Sequence, residues 1–358
     1  MRKKFFLVCI VVLIISIVGM ATQVALAAEK KNGVIHWKAH SAWIRGPGLQ
    51  EAADYFTKTL NNLCEGQLVI DRMYAAGELL GAFELIPACS KGKLDLVDSS
   101  GYYLTGTLPW ISLIIGTAAN YMDYAAPYLS WYWEGGGHEL EEEYVGTKYN
   151  VKVWAAHIIP AEAIYSVKPI KKKEDFGGLK IRTSGLSMDF FRSLGAAPVT
   201  LPLSEVMPAL ERKVLDAAEF SVPWTDYPVR IHEIAPYALT GILHSPPCMG
   251  REVYINRDSW KALPDDLKRK VEYAIRLTKF WYIDHLGLRN AVLWKKMLNE
   301  GLKVTKASPE LQAWMKEKGD ELAEKYAAKD PWAKKILDSQ KAYLKTWNSY
   351  YDNVRWFK

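Results

Sequence analysis

The sequence predicts an α/β protein of two domains, each a mixed, mostly parallel sheet flanked by helices, followed by a helical C-terminal part. Three observations carry that class. Apolar runs of strand length alternate with helix-period segments twice, over 33–98 and again over 178–223, and such alternation marks strand–helix–strand units with parallel pairing. From Asp265 onward apolar residues recur every three and four positions over segments too long for strands. The 358 residues suffice for two well-filled cores, and 49% hydrophobic with 24% charged content is ordinary for a globular protein.

Taken in order, the chain opens with Arg2, Lys3 and Lys4 before an uncharged apolar run over 5–20, then Ala25, Leu26 and Ala27. A charged start, an apolar stretch and small residues at a cleavage point predict a secretory signal peptide over 1–28. The alternative is an uncleaved anchor, the run being near the short limit for a membrane span. Cys9 follows Val8 rather than a small residue, so it does not read as a lipoprotein cysteine. The balance of 46 Lys plus Arg against 40 Asp plus Glu, three of the cations lying in the leader, is too mild to argue for nucleic acid. Beyond the leader, Cys64, Cys89 and Cys248 are odd in number and lack metal-ligand spacing. They predict small buried hydrophobes rather than a disulfide framework.

A strand is predicted over 33–40, a helix from the Gly46-Pro47-Gly48 turn to residue 63, a strand over 67–73, a short helix over 83–89 and a strand over 94–98. That last strand runs into Ser99, Ser100, Gly101, Tyr102 and Tyr103. Small residues there let a ligand approach the backbone, while the tyrosines offer ring faces and hydroxyls. Over 128–144 the chain is aromatic, then has Gly135, Gly136 and Gly137, then is acidic from Glu139 to Glu143. The glycines break one helix and the acids suit the first turn of the next, with His138 merely near its start. A strand over 150–157 leads toward the second domain. Lys168, Lys171, Lys172 and Lys173 form either a solvated loop or a contact for an acidic membrane partner.

The segment 178–223 is the densest. Strands at 179–183, 197–201 and 215–220 enclose helices at 186–194 and 204–211. Arg182 ends the first strand and Glu219 the last, and strand ends of a parallel sheet face the crevice where ligands bind. An arginine there offers a planar fork of donors matched to a carboxylate. Glu219 balances the arginine, binds a metal or faces a cation; equally, the two residues pair with each other or with solvent. Strand-like runs follow at 238–243 and 252–256 around Pro246-Pro247. A helix runs from Asp265 toward 298, with Gly287 a possible bend. The terminal stretch 332–357 carries Trp332, Ile336, Tyr343, Leu344, Trp347, Tyr350, Tyr351, Val354 and Trp356, too much aromatic surface to stay uncovered. It packs on the second lobe or is exchanged across a dimer.

Catalysis has no foothold. The sequence has no G-x-S-x-G elbow, H-E-x-x-H, G-x-x-x-x-G-K-[ST] or G-x-G-x-x-G, and the seven histidines are scattered.

Three pieces together carry a resemblance: Gly-Leu-Lys-Ile-Arg ending at Arg182, Phe-Phe-x-x-Leu-Gly-Ala-x-Pro from Phe190 to Pro198, and Glu-Val-x-x-Ala-Leu-x-x-x-Val-x-Asp-Ala-x-Glu from Glu205 to Glu219. In this order and spacing they resemble the core of the DctP-type solute-binding proteins, periplasmic receptors of tripartite ATP-independent (TRAP) transporters. The glycine–acid tract at 135–143 is similar to the branch that binds 2-oxo acids and related monocarboxylates.

The resemblance implies a two-lobe periplasmic binding protein fold with a long helix spanning both lobes and chain crossings that make each lobe discontinuous. Lobe 1 would comprise 29–155 plus 222–258, lobe 2 would comprise 156–221 plus 259–330, and 331–358 would be a C-terminal aromatic helix. It implies a non-enzymatic receptor that delivers an organic acid to TRAP membrane subunits, or else to a sensor kinase, with a homodimer through the terminal helix as an option. Arg182 would be the carboxylate anchor. A cation on the ligand carboxylate, Ca²⁺ or Na⁺, would be held by the Glu219 side chain and the Phe220 carbonyl. The branch's third ligand, a glutamine, has no counterpart. If Glu162 replaces it, two carboxylates favour Ca²⁺; if Ala161 is the match, the metal is absent and Glu219 faces an amine or hydroxyl of the ligand. Trp43, Tyr102, Tyr103 and Trp224 would line the cleft around an apolar or aromatic tail.

Overall fold

The computed structural model describes residues 30–31, 33–116, 121, 125–159, 161–242 and 249–354. The predicted signal peptide, Cys9, Cys248, Pro246-Pro247 and Trp356 lie outside them. Among the described residues no helix is long and apolar enough to cross a membrane.

Two mixed sheets face one another across a cleft. The first has five strands in the order Met73–Tyr74, Ala39–Ser41, Leu96–Ser99, Met249–Asn256, Val151–Ile159; the first two pairings are parallel and the last two antiparallel. The second has six, in the order Ala197–Val199, Lys180–Arg182, Ala217–Glu219, Ile164–Ser166, Tyr237–Thr240, Lys303–Lys306. On one face it packs a core of its own, from Ile164, Ile181, Phe190, Phe191, Leu239, Leu311 and Met315, while Tyr165, Ala218 and Ala238 on the other join the larger cluster that continues beneath the first sheet. A small three-stranded sheet pairs Val34–His36 with Lys30–Lys31 and Leu68–Val69.

Local chemistry explains most boundaries. The helix Leu49–Cys64 buries Leu49, Ala52, Ala53, Phe56 and Leu60, one face at helical spacing. The predicted strand over 67–73 is instead two short strands, because the Asn61 side chain bonds both N–H and C=O of Ile70 and occupies the groups that a ladder would use. The triple glycine separates Ala125–Glu134 from Gly137–Gly146, with Gly136 at φ +90°. Helix Asp265–Asn299 passes through Gly287 unbroken and, at 1.5 Å per residue, is about 52 Å long. It packs on Leu49–Cys64, on Val151–Ile159 and on the short helix Pro223–Asp226 before the chain enters the second sheet at Lys303.

Two assignments need correction. The segment 222–258 does not belong wholly to the first lobe: Tyr237–Thr240 lies in the second sheet, antiparallel to Ile164–Ser166 and parallel to Lys303–Lys306, so the chain returns to the first sheet only afterwards. Its apolar Ala238 and Leu239 satisfy either core, and only the partner strands decide which. The terminal helix Pro331–Val354 packs on the first lobe rather than the second. It contacts Ile111–Ile115, Ala125–Glu134 and Gly137–Gly146. Gln340 Nε2 donates to Leu113 O at 2.7 Å, Trp131 Nε1 donates to Ser339 Oγ at 3.1 Å, and Ile336 is fully buried. The preceding helix Pro309–Lys329, whose bounds the sequence reading did not give, lies on the second lobe against Ser187–Ser193 and starts at a Ser308 cap with Pro309 in its first turn.

Lys168, Lys171, Lys172 and Lys173 are all exposed. Cys64 and Cys89 are buried free thiols, as expected of small hydrophobes.

Candidate functional site

Arg182 and Glu219 end neighbouring parallel strands, with Arg182 in register with Ala218, so both leave the sheet at the same edge. Arg182 is buried and anchored by main-chain carbonyls: Nε donates to Leu201 O and Nη1 to Glu219 O, each at 3.0 Å. The Glu219 carboxylate stands 3.9 Å from Nη1 and instead accepts from Ser184, at 3.1 Å from the main-chain N–H and 3.3 Å from the hydroxyl. The guanidinium is therefore fixed by carbonyls while its ion pair is loose. Among the described residues Nη2 has no hydrogen-bond partner, which leaves one corner of the fork for a carboxylate.

Both residues line a pocket between the lobes. Trp43, Leu49, Tyr102, Tyr103 and Ile159 come to it from the first lobe, and Leu203, Phe220, Ser184 and Ser221 from the second. Glu162, on the link between Val151–Ile159 and Ile164–Ser166, lines it too. Thus seven of the sequence-predicted residues meet: Trp43, Tyr102, Tyr103, Glu162, Arg182, Glu219 and Phe220. Trp224 is not among them. It is buried in the short helix Pro223–Asp226, where it stacks on Tyr282 at 5.4 Å and lies under the Arg289 guanidinium at 4.4 Å. Adjacency to Glu219 in sequence did not carry into space, because the helix turns the indole toward Asp265–Asn299.

The charges do not balance. Glu162 is buried, makes no hydrogen bond to a described residue, and has its carboxyl pushed well above the usual range by desolvation and then by Glu219 and Asp226. Burial also raises Glu219, with Arg182 opposing. Asp226, at the end of Pro223–Asp226, accepts from the Tyr165 hydroxyl at 2.9 Å while its Oδ1 has no partner; burial raises it to about 7. Two carboxyl groups, Glu162 and Glu219, share the one Arg182 guanidinium with Asp226 close behind Glu162, and a buried unpaired carboxylate is strongly unfavourable unless it is protonated or met by a cation. The available donors, the carboxylates of Glu162 and Glu219 with the main-chain carbonyl of Phe220, are all hard oxygen and suit Ca²⁺ better than a softer ion.

Sequence reading missed Asp98 and Arg251. Arg251 is fully buried and forms a two-point ion pair with Asp98, whose Oδ1 also accepts the Trp43 indole N–H at 2.6 Å. Only the position of Asp98 at the end of a strand hinted at it.

The DctP family, described as bacterial extracellular solute-binding protein family 7, matches residues 41–330. The chain is similar to the monocarboxylate 2-oxoacid-binding periplasmic protein of Nostoc sp. (strain PCC 7120), 25% identical over 319 residues, 88% of this chain and 86% of that one. Its fold matches a TRAP transporter solute-binding protein from Bordetella bronchiseptica RB50, crystallised as a dimer with calcium and picolinate, at TM-score 0.84 and 22% identity, covering 90% of this chain and 95% of that one. A TRAP periplasmic solute-binding protein from Pseudoalteromonas atlantica T6c with sodium and pyruvate matches at TM-score 0.82 and 25% identity, covering 91% and 100%.

Proposed function

The chain belongs to bacterial extracellular solute-binding protein family 7, the DctP family of TRAP receptors, and on that premise we propose that it captures a 2-oxo or 2-hydroxy monocarboxylate together with Ca²⁺. Members of this family are transport receptors rather than enzymes, and TRAP solute-binding proteins are periplasmic. A leader over 1–28 fits that destination.

The observation that carries the ligand reading is the Arg182 fork, fixed by two main-chain carbonyls in the wall of the interlobe pocket with one corner left open. Arg182 would take the ligand carboxylate. Glu219, Glu162 and the Phe220 carbonyl would hold the cation, which would neutralise the surplus carboxylates and draw the ligand's oxygens in. Trp43, Tyr102 and Tyr103 supply an apolar wall for a short or aromatic tail. The relatives named above, one binding 2-oxo acids and two holding a metal beside pyruvate or picolinate, support this pairing of acid and cation. Delivery to TRAP membrane subunits follows from the family; the exposed lysines at 168–173 offer one surface for an acidic partner.

The test is a thermal-shift series on ligand-free protein with pyruvate, lactate and picolinate, each with and without Ca²⁺. A ligand that binds only the folded state raises the melting temperature by mass action. The expected result is a Ca²⁺-dependent rise that Arg182→Ala abolishes. A rise that survives Arg182→Ala would remove the arginine from its role, and a rise indifferent to Ca²⁺ would remove the metal.

A further inference from the structure

Trp43, Tyr102 and Tyr103 form the first-lobe wall of the cavity, yet none stands on a regular element rigid enough to aim it. Trp43 follows the strand Ala39–Ser41, and the tyrosines occupy a single turn, Gly101–Leu104. Two consecutive residues of Met249–Asn256, Arg251 and Glu252, reach behind this wall. Both are fully buried, and neither lines the cavity. The register against Val151–Ile159 shifts between them, yet they reach different partners on the two faces of the sheet. On one face Arg251 clamps Asp98, which holds the Trp43 indole N–H, and the guanidinium carbon stands 5.5 Å from the Trp43 ring centroid. On the other, Glu252 Oε2 accepts the N–H of Gly101, first residue of the tyrosine turn, at 2.7 Å. The turn has no slack there: a Cβ on Gly101 would lie 2.7 Å from Ile111.

We propose that Arg251 and Glu252 are positioning residues that set the Trp43 and Tyr102–Tyr103 wall from behind, and so the shape of the space for the ligand's tail, without touching the ligand. The inference rests on reading the cavity as the carboxylate site. What Glu252 contributes is an acceptor rather than a charge. Its surroundings agree, since burial and the neighbouring Glu141 hold its carboxyl toward the protonated form.

Hydrogen–deuterium exchange on the ligand-free full chain tests the positioning directly. Glu252→Ala is expected to speed exchange in peptides covering 101–104, and Glu252→Gln, which keeps an acceptor, to leave it near wild type. Arg251→Met is expected to speed exchange around Trp43; if it does not fold because Asp98 is left buried and unpaired, the double variant Arg251→Met with Asp98→Asn carries that arm. Calorimetry with Ca²⁺ and picolinate should then show Glu252→Ala weaker by about threefold to tenfold, the scale of a lost hydrogen bond between neutral groups. Pyruvate, with almost no tail, should lose less. Unchanged exchange at 101–104 in Glu252→Ala, or a Glu252→Gln variant as impaired as the alanine, overturns the proposal. A wild-type protein that binds neither probe counts against the carboxylate reading alone, since exchange still decides the positioning.

Discussion

Glu162 is the residue on which the cation turns. A buried carboxylate beside Glu219 and Asp226 raises the local negative charge where a glutamine would not, so Glu162→Gln is expected to weaken the Ca²⁺ dependence of pyruvate binding by at least about tenfold, the effect of a lost charge-assisted contact. Calorimetric titration of Ca²⁺ at fixed pyruvate reads it. A second buried acid acts on stability. Glu141 accepts from the Tyr132 hydroxyl at 2.5 Å, and burial pushes its carboxyl up to about 8 from an ordinary 4.5. The folded state thus keeps a proton that the unfolded chain releases, and stability falls as pH rises between those values, by up to about 1.4 kcal/mol per pH unit. In Glu141→Gln the urea midpoint should flatten across that window; an unchanged slope would assign the dependence elsewhere. At this scale Arg182 and Glu219 were legible because parallel strands bring their ends together by rule. Arg251 and Asp98 were not, since a pair 153 positions apart leaves no local pattern.

Elements were legible where their apolar residues had one period and one place to go. The strand–helix alternation of 178–223 folded as read. Tyr237–Thr240 went to the other sheet and the terminal helix to the other lobe, because amphipathic faces specify burial but not the partner that provides it. The terminal helix is nonetheless integral: Ile336 is fully buried against the first lobe, and Ile336→Ala is expected to lower unfolding free energy by about 2–5 kcal/mol. Urea denaturation would show it as a lower midpoint at unchanged slope. A loss below about 1 kcal/mol would mean that the helix merely rests on the surface.

Across the whole molecule the lobes meet closely. Gly185 of the second lobe, at φ +59°, sits so near the first that a Cβ would lie 2.4 Å from Ser112 Oγ and 2.9 Å from the Tyr102 ring. Trp110 of the first lobe also meets Tyr326 of the second, with ring centroids 5.2 Å apart. Gly185→Val should therefore act as a wedge between lobes. Pyruvate affinity is expected to fall about tenfold or more, while small-angle scattering reports a larger radius of gyration with ligand than the wild type shows; equal radii would mean that the contact does not limit closure. The terminal helix has a practical consequence in the same geometry. Because it rides on the first lobe although the helix before it rides on the second, Ser349 and Lys180 belong to different bodies, and both are exposed. Cys64 and Cys89 are buried and burial pushes their thiols up, so maleimide dyes on engineered cysteines at 180 and 349, with Cys248 replaced, would turn this receptor into an optical sensor whose energy transfer tracks its own solute.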